Sequence, residues 1–273
     1  MTRRDPASGD LRVVSVAVAA VRDEPAHRAE RVTEWVLGET VRVDAIEGRW
    51  LRGTGPDGYA GWTPAAPFGR PAVDARDWGA AARLRSLGTG LAGGGLARLP
   101  WGSRVCAGGA DGSVELPDGS VVRVVSPERI VPAPEAGHRG GSDALLTLAR
   151  QWIGVPYAWG GRTELGVDCS GFVQALFGIL GVALPRDSRQ QREVGPDLAV
   201  PAPGERGPQS GDLLFFAPGG GSVTHVALAL GEWRVIHAAS SNGRVQEDDL
   251  STGAPLSRLL VNSIVARTRP FGA

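Results

Sequence analysis

Three side chains with the chemistry of a nucleophilic catalyst occur in one order along the C-terminal half of the chain. Cys169 lies in the stretch DCSGF, His225 in THVA and His237 in IHA. A cysteine peptidase needs a thiol, an imidazole base that takes its proton, and a third polar group that orients the base. The three residues supply these groups, so the sequence indicates acyl-transfer chemistry at a thiol.

The position of Cys169 within its segment supports this role. The apolar run that follows it ends at Gly181, which predicts a helix over residues 169–180. The first N–H groups of a helix have no partner within it and carry partial positive charge, which favours a thiolate and can stabilise an oxyanion. A buried cysteine that merely fills space is the alternative, and the polar neighbours Asp168 and Ser170 argue against it. We expect Cys106, among strand residues, to be structural.

The two histidines flank the predicted turn of a hairpin. His225 and His237 each lie 6 residues from Gly231. In an antiparallel pair, residues equally far from the turn are opposite or nearly so, and their side chains share one face. We therefore expect the two imidazoles to touch, so that one ring fixes the tautomer and the tilt of the other.

Composition excludes several classes of function. Lys plus Arg and Asp plus Glu both number 29 among 273 residues, so no net field favours nucleic acid or an anionic membrane. The longest apolar stretch near the start, residues 13–21, is too short to span a bilayer. The 2 cysteines lack C-x-x-C spacing, so we expect no metal site and no other cofactor.

The chain divides by pattern into two β-rich segments and one mixed segment. Short β-branched stretches alternate with turn residues over 10–70 and again over 71–133, which is typical of small β-barrels. Within the second segment, Asp77–Leu87 is predicted as a short helix. A linker rich in Pro and Gly, residues 132–141, precedes an α+β domain at 142–273. Its last element is predicted as a strand over Leu259–Arg267.

Six stretches of this last domain together resemble the NlpC family of papain-like bacterial cell-wall peptidases. They are GVPYAWGG at 154–161, DCSGF at 168–172, LPRDS at 184–188, GDL at 211–213, THVA at 224–227 and IHA at 236–238. The resemblance covers about residues 145–269 and implies a papain-like catalytic domain. It implies Cys169 as nucleophile, His225 as base, His237 as third polar group and Tyr157 as an aromatic hydroxyl near the thiol. Arg186 could meet a substrate carboxylate or anchor its loop.

The two preceding barrels resemble the bacterial SH3-like modules of peptidases that cut between γ-D-glutamate and a diamino acid. This implies a peptidoglycan stem peptide with a free N-terminal L-alanine as substrate. Asp168 would meet the substrate ammonium, because an unpaired buried charge is costly. In the first barrel, Glu24 and Tyr59 would add a carboxylate and a hydroxyl. The pocket would be lined by Trp159, Ser170 and Ser188.

Three other functions stay open. A binding module with a dead site would be expected to lack Cys169, His225 or His237, and all three are present. An exported hydrolase of intact murein would need a signal peptide and a groove open at both ends. An acyltransferase would need an apolar channel beside the thiol. We expect a monomeric, cytoplasmic enzyme of murein peptide recycling, with a secreted or cell-wall-associated enzyme as the alternative.

Overall fold

Two units divide the chain, Met1–Ala133 and Pro134–Ala273. The computed structural model describes residues 9–68, 75–92, 96–109, 112–134, 141–202 and 204–271. The boundary expected between residues 70 and 71 lies outside these ranges, as does most of the linker expected at 132–141. The expected domain bounds of 10–70, 71–133 and 142–273 therefore stay predictions.

The N-terminal unit begins with an antiparallel sheet of six strands. Alternating apolar residues of these short strands point to one side, and Val21, Trp35 and Val41 are fully buried there. The sheet order is β1-β4-β5-β6-β2-β3. The strands are β1 (Leu11–Val13), β2 (Val18–Arg22), β3 (Arg31–Val36), β4 (Thr40–Glu47), β5 (Trp50–Thr54) and β6 (Ala60–Pro64).

A second antiparallel sheet of seven strands follows in the same unit, in the order β13-β7-β10-β11-β12-β8-β9. The helix predicted over Asp77–Leu87 is wrong in its second half, because Leu84 and its neighbours pair with strands on both sides. The elements are α1 (Ala75–Ala81), β7 (Leu84–Ser86), β8 (Thr89–Ala92), β9 (Arg98–Leu99), β10 (Arg104–Ala107), β11 (Ser113–Glu115), β12 (Val121–Val124) and β13 (Ile130–Pro132).

The two sheets of this unit are joined at the end of β3. Leu37 packs in the core of the second sheet, and its carbonyl accepts a hydrogen bond from the Arg104 backbone N–H at 2.9 Å. The next residue, Gly38, has φ +78°, and a Cβ there would lie 2.0 Å from the Arg104 carbonyl oxygen. A glycine is therefore required where the sheets meet.

The C-terminal unit combines helices with a six-stranded antiparallel sheet, in the order β16-β21-β17-β18-β19-β20. A 3₁₀ turn at Leu250–Thr252 follows β20. The elements are α2 (Ser142–Arg150), β14 (Arg162–Thr163), β15 (Gly166–Val167), α3 (Cys169–Ile179), α4 (Ser188–Gln191), β16 (Asp197–Leu198), β17 (Leu213–Phe216), β18 (His225–Gly231), β19 (Arg234–Ala239), β20 (Arg244–Asp249), α5 (Pro255–Asn262) and β21 (Ile264–Thr268).

The centre of this sheet is buried on both faces. All four residues of β17 are inaccessible to water, α3 packs against β18 and β19, and Leu260 of α5 packs in a cluster with Leu214 and Phe216. The strand predicted over Leu259–Arg267 is wrong in its first part, because α5 extends to Asn262 and β21 begins at Ile264. Pro255 in the first turn suits a helix start, since its missing N–H would have no partner there.

Candidate active site

Cys169 is the first residue of α3, as predicted. Asp168 is the N-cap, and its Oδ1 accepts a hydrogen bond from the Gly171 backbone N–H at 2.8 Å. The sulfur lies within hydrogen-bonding reach of the backbone N–H groups of Ser170 and Val226. Since Val226 follows His225 in the chain, the start of α3 meets the start of β18, and the thiol lies beside the strand that carries the predicted base.

Glycine at position 171 allows this close approach. A Cβ on Gly171 would lie 2.1 Å from the Gly161 carbonyl oxygen, closer than two such atoms can come. The Gly160 backbone N–H donates to Asp168 Oδ2 at 2.8 Å, which ties the same loop to the helix cap. The glycines of the two motifs are therefore needed because backbone packs directly on backbone at the thiol.

The imidazoles of His225 and His237 touch, with Nε2 of His225 2.7 Å from Nδ1 of His237. Strand β18 pairs with β19 so that Leu228 lies opposite Ile236. Continued by one residue, this register places His237 opposite Ala227, so the two histidines are diagonal neighbours on one face. Sequence reasoning therefore predicted the contact correctly, and the exact register differs from the symmetric one by two residues.

Asp248 extends this pair and was missed from the sequence. Its Oδ2 lies 2.8 Å from Nε2 of His237, and its Oδ1 accepts from the Gln246 side-chain amide at 2.8 Å. Asp248 stands on β20, which pairs with β19 with Gln246 opposite His237. The signal was present: Asn242 and Gly243 form a typical hairpin turn pair, and a hairpin there brings residues 244–249 beside β19.

Burial keeps the thiol and the base neutral. Burial and then the charge of Asp168 raise the pKa of the Cys169 thiol to about 12. Burial and then His237 lower the pKa of His225 to about 3. The thiolate that the helix start was expected to favour is therefore not the resting form, because desolvation outweighs the partial charge of the helix.

Asp168 and Arg186 form a buried ion pair beside the thiol. Arg186 donates to Asp168 Oδ1 at 3.0 Å and also to Oδ2, and it donates to Ser170 Oγ at 2.8 Å. Only 2% of Arg186 is exposed. Of its two sequence interpretations, the structure therefore favours the anchor. With the N–H groups of Gly160 and Gly171 and the Ser170 hydroxyl, five donors meet this one carboxylate.

Tyr157 and Trp159 lie on the loop before the helix cap. Burial and the proximity of Cys169 and Asp168 raise the pKa of Tyr157 to about 12. The hydroxyl therefore stays protonated at neutral pH and can donate a hydrogen bond near the thiol. Trp159 is 58% exposed, and Ser188 begins α4 and is half-buried. The catalytic role of Tyr157 and the pocket roles of the other two stay predictions.

The two predicted residues of the first sheet share one of its ends. Glu24 is exposed in the turn after β2, and Tyr59 is half-buried just before β6. Arg22 of β2 pairs with Trp62 of β6, and this antiparallel register continued by two residues leads to Glu24 beside Ala60. Both residues thus lie at the same end of the first sheet, and their roles in binding stay predictions.

Within the described ranges, both cysteines are free, and no group of three or more His, Cys, Asp or Glu side chains is placed to hold a metal ion. In the same ranges no helix is both long enough and apolar enough to cross a membrane.

A cysteine at a helix start beside a hydrogen-bonded pair of histidines is the arrangement of a thiol peptidase. Residues 154–263 match the NlpC/P60 family. Residues 21–66 match the bacterial dipeptidyl-peptidase SH3 domain. The chain therefore carries a domain of the NlpC/P60 cysteine peptidase family, as its motifs predicted, and before it a bacterial SH3 domain. The second SH3-like domain, expected over 71–133, stays a prediction.

Curated relatives match less than half of the chain. A Bacillus cereus protein named gamma-D-glutamyl-L-lysine dipeptidyl-peptidase is 36% identical over 124 residues, which are 45% of this chain and 34% of the relative. A Bacillus subtilis protein of that name is 32% identical, over 41% of this chain and 37% of the relative. Peptidoglycan endopeptidase RipB of Mycobacterium tuberculosis is 36% identical, over 41% of this chain and 49% of the relative. The chain thus spans about a third to a half of these relatives.

Among the solved structures that match nearly the whole chain, two have TM-scores above 0.7. An NlpC/P60 family protein from Bacillus cereus has a TM-score of 0.81 at 20% identity and covers 96% of this chain and 100% of that chain. An NlpC/P60 endopeptidase from Photobacterium damselae subsp. piscicida has a TM-score of 0.71 at 16% identity. It covers 97% of this chain and 74% of that chain. These likenesses confirm the predicted fold, α+β with an NlpC-type domain after an SH3-like region.

Replacing Arg186 by Met tests the buried ion pair. Arg186→Met removes the cation and leaves the Asp168 carboxylate buried without its charged partner, which should lower the free energy of unfolding by about 3–5 kcal/mol. Urea denaturation followed by circular dichroism measures the change. Arg189→Met is the matched control, since Arg189 is an exposed arginine three residues away. Equal stability of the two variants would contradict the buried pairing.

Acid should destabilise the C-terminal unit through His225. The pKa of this ring is about 3 when folded and 6.5 ordinarily, so below pH 6.5 the unfolded chain binds a proton that the folded chain refuses. Stability present above pH 6.5 is lost as the pH falls towards 3, by up to about 2 kcal/mol between pH 7.5 and pH 5. Melting temperatures at the two pH values should differ less in His225→Gln, while the exposed His27→Gln control keeps the wild-type difference.

Proposed function

We propose that this protein is a cysteine peptidase that hydrolyses the bond between γ-D-glutamate and a diamino acid in peptidoglycan stem peptides with a free N-terminal L-alanine. The observation that carries the proposal is the placement of Cys169 at the start of α3, against the strand that bears His225, with His237 bonded to His225. The SH3 domain matched at residues 21–66 supports the substrate, because its family is named for bacterial dipeptidyl-peptidases.

The Cys169 thiol and the His225 ring are both neutral before the substrate binds, and this sets the order of the chemical steps. As the substrate γ-carbonyl arrives, His225 takes the Cys169 proton and the sulfur forms a bond to that carbon. Backbone N–H groups at the start of α3 stabilise the developing oxyanion. His225 then gives its proton to the amine of the diamino acid, which leaves. Water, deprotonated by the same ring, attacks the thioester, and L-Ala-γ-D-Glu departs with the sulfur protonated again.

We propose that Asp168 meets the ammonium group of the substrate. Asp168 already meets five donors, whereas a carboxylate offers about four lone-pair sites. An ammonium must therefore share one of its oxygens with Arg186 or with the helix start. Glu24 is exposed to solvent, and Tyr59 lies at the same end of the first sheet as Glu24. We propose that Trp159, Ser170 and Ser188 line the pocket around Asp168, and that Glu24 and Tyr59 of the first sheet add a carboxylate and a hydroxyl to substrate binding.

Cleavage of L-Ala-γ-D-Glu-diaminopimelate, and of its lysine counterpart, should release L-Ala-γ-D-Glu. The N-acetylated peptide should be cleaved much more slowly, because acetylation removes the charge that pairs with the carboxylates. Chromatography of the products measures both rates. Cys169→Ala should abolish cleavage, and Cys106→Ser should keep it, since Cys106 lies on β10 of the other unit.

The same assay separates the alternatives. Equal rates on free and acetylated peptides would reject amine recognition. Preferential digestion of intact murein would favour an endopeptidase of the cell wall, a function for which the similarity to RipB is the supporting observation. Absence of cleavage from every peptide would reject the peptidase. A free N-terminal stem peptide is a product of murein breakdown, so we propose a role in its recycling, in the cytoplasm.

A further inference from the structure

We propose that Asp248 is a positioning residue of the active site, which sets the tautomers of His237 and His225 so that Nδ1 of His225 is the basic atom. The proposal rests on the function proposed above and extends it to a fourth residue. Asp248 touches neither the thiol nor the base. It acts through His237, which lies between it and His225.

The negative charge of Asp248 interacts with one ring, that of His237. Its Oδ2 lies 2.8 Å from Nε2 of His237. The other recorded partners of its side chain are neutral amides, Gln246 at 2.8 Å and Asn242 at 3.4 Å. Hydrogen bonds from His237 and from these amides lower the pKa of Asp248, so the carboxylate is ionised at neutral pH. The partner ring is 1% exposed and the Asp248 side chain 21%, so the bond is shielded from water on the histidine side.

These hydrogen bonds determine which nitrogen of each imidazole carries the proton. An ionised carboxylate can only accept, so Nε2 of His237 carries a proton. With the ring neutral, Nδ1 of His237 has none and must accept from its neighbour at 2.7 Å. The proton in that contact therefore belongs to Nε2 of His225. The remaining nitrogen of His225, Nδ1, is left with a lone pair, which is what a base for the Cys169 thiol requires.

The contacts from Asp248 to His237 and from His237 to His225 also assist the reaction. When His225 takes the thiol proton, the positive charge on its ring strengthens the bond from its Nε2–H to His237, and the charge of Asp248 stabilises it through that ring. The titratable and charged groups around the thiol, Cys169, Asp168, Arg186 and Tyr157, interact with one another, and the charge that acts on His225 is that of His237. Among the contacts recorded for the described residues, Asp248 is the carboxylate that meets the outer nitrogen of His237.

Substitutions at Asp248 test this with two readouts. The first is hydrolysis of L-Ala-γ-D-Glu-diaminopimelate by the full chain. The second is the rate at which iodoacetamide alkylates Cys169, measured against pH in a Cys106→Ser background, which needs no peptide substrate. Asp248→Asn and Asp248→Ala should lower kcat on the order of 100-fold, within the ~10²–10⁴ that acid–base catalysis contributes, with KM nearly unchanged. Alkylation at neutral pH should slow, and its pH midpoint should move to more alkaline values.

Two further variants serve as controls. Glu247→Gln removes one negative charge at the adjacent position of β20, where the side chain pairs with Arg150 and Arg234 instead of the histidines. It should keep wild-type kcat and the wild-type alkylation profile. Asp248→Glu retains a carboxylate and should recover more activity than Asp248→Asn. If Asp248→Ala fails to fold, the nearly isosteric Asn variant decides.

Each outcome separates this proposal from the proposed function. Hydrolysis by Asp248→Asn within about twofold of Glu247→Gln, with normal alkylation, would overturn the positioning role. A loss of hydrolysis with an unchanged alkylation profile would also overturn it, because Asp248 would then act somewhere other than on the base. If the wild type cleaves no stem peptide while Asp248→Asn still slows alkylation, the proposed substrate fails and the positioning role stands.

Discussion

The hydrogen bond between the rings of His225 and His237, 2.7 Å long, constrains the rest of the site. An imidazole has two nitrogens, so a bond at one of them decides what the other can do. This bond depends on the pairing of β18 with β19 and on their turn, where Gly231 has φ +106° and Glu232 has φ +52°. The base is thus held by a strand pair buried within a sheet, which positions a side chain more rigidly than a mobile loop does.

The ion pair of Asp168 and Arg186 holds the nucleophile in a comparable way. Asp168 caps the helix that starts at Cys169, and the guanidinium balances a carboxylate that would otherwise raise the thiol pKa further. Burial keeps the thiol and His225 neutral, with pKa values of about 12 and about 3. In the proposed mechanism the reactive sulfur anion therefore forms only as the substrate arrives, which avoids the side reactions that a permanent thiolate invites.

The sequence predicted those features that depend on residues close to one another in the chain. The start of α3 and the contact of the two histidines followed from a cap, an apolar run and a hairpin turn. Groups brought together over long separations were not predictable in this way: Arg186 meets Asp168 from 18 positions away, and Asp248 meets His237 through a third strand. The apolar run near Leu259 was misassigned because a short run fits a strand and a helix equally well until its packing is known.

We infer that Nδ1 of His225 carries the lone pair that accepts the thiol proton. Selective ¹⁵N labelling of histidine gives a spectrum of only 4 residues, which His225→Gln and His237→Gln variants assign. At pH 7.5 we expect His225 to be neutral and to carry its proton on Nε2, which donates to Nδ1 of His237. A proton on Nδ1 of His225, in either a neutral or a charged ring, would contradict it.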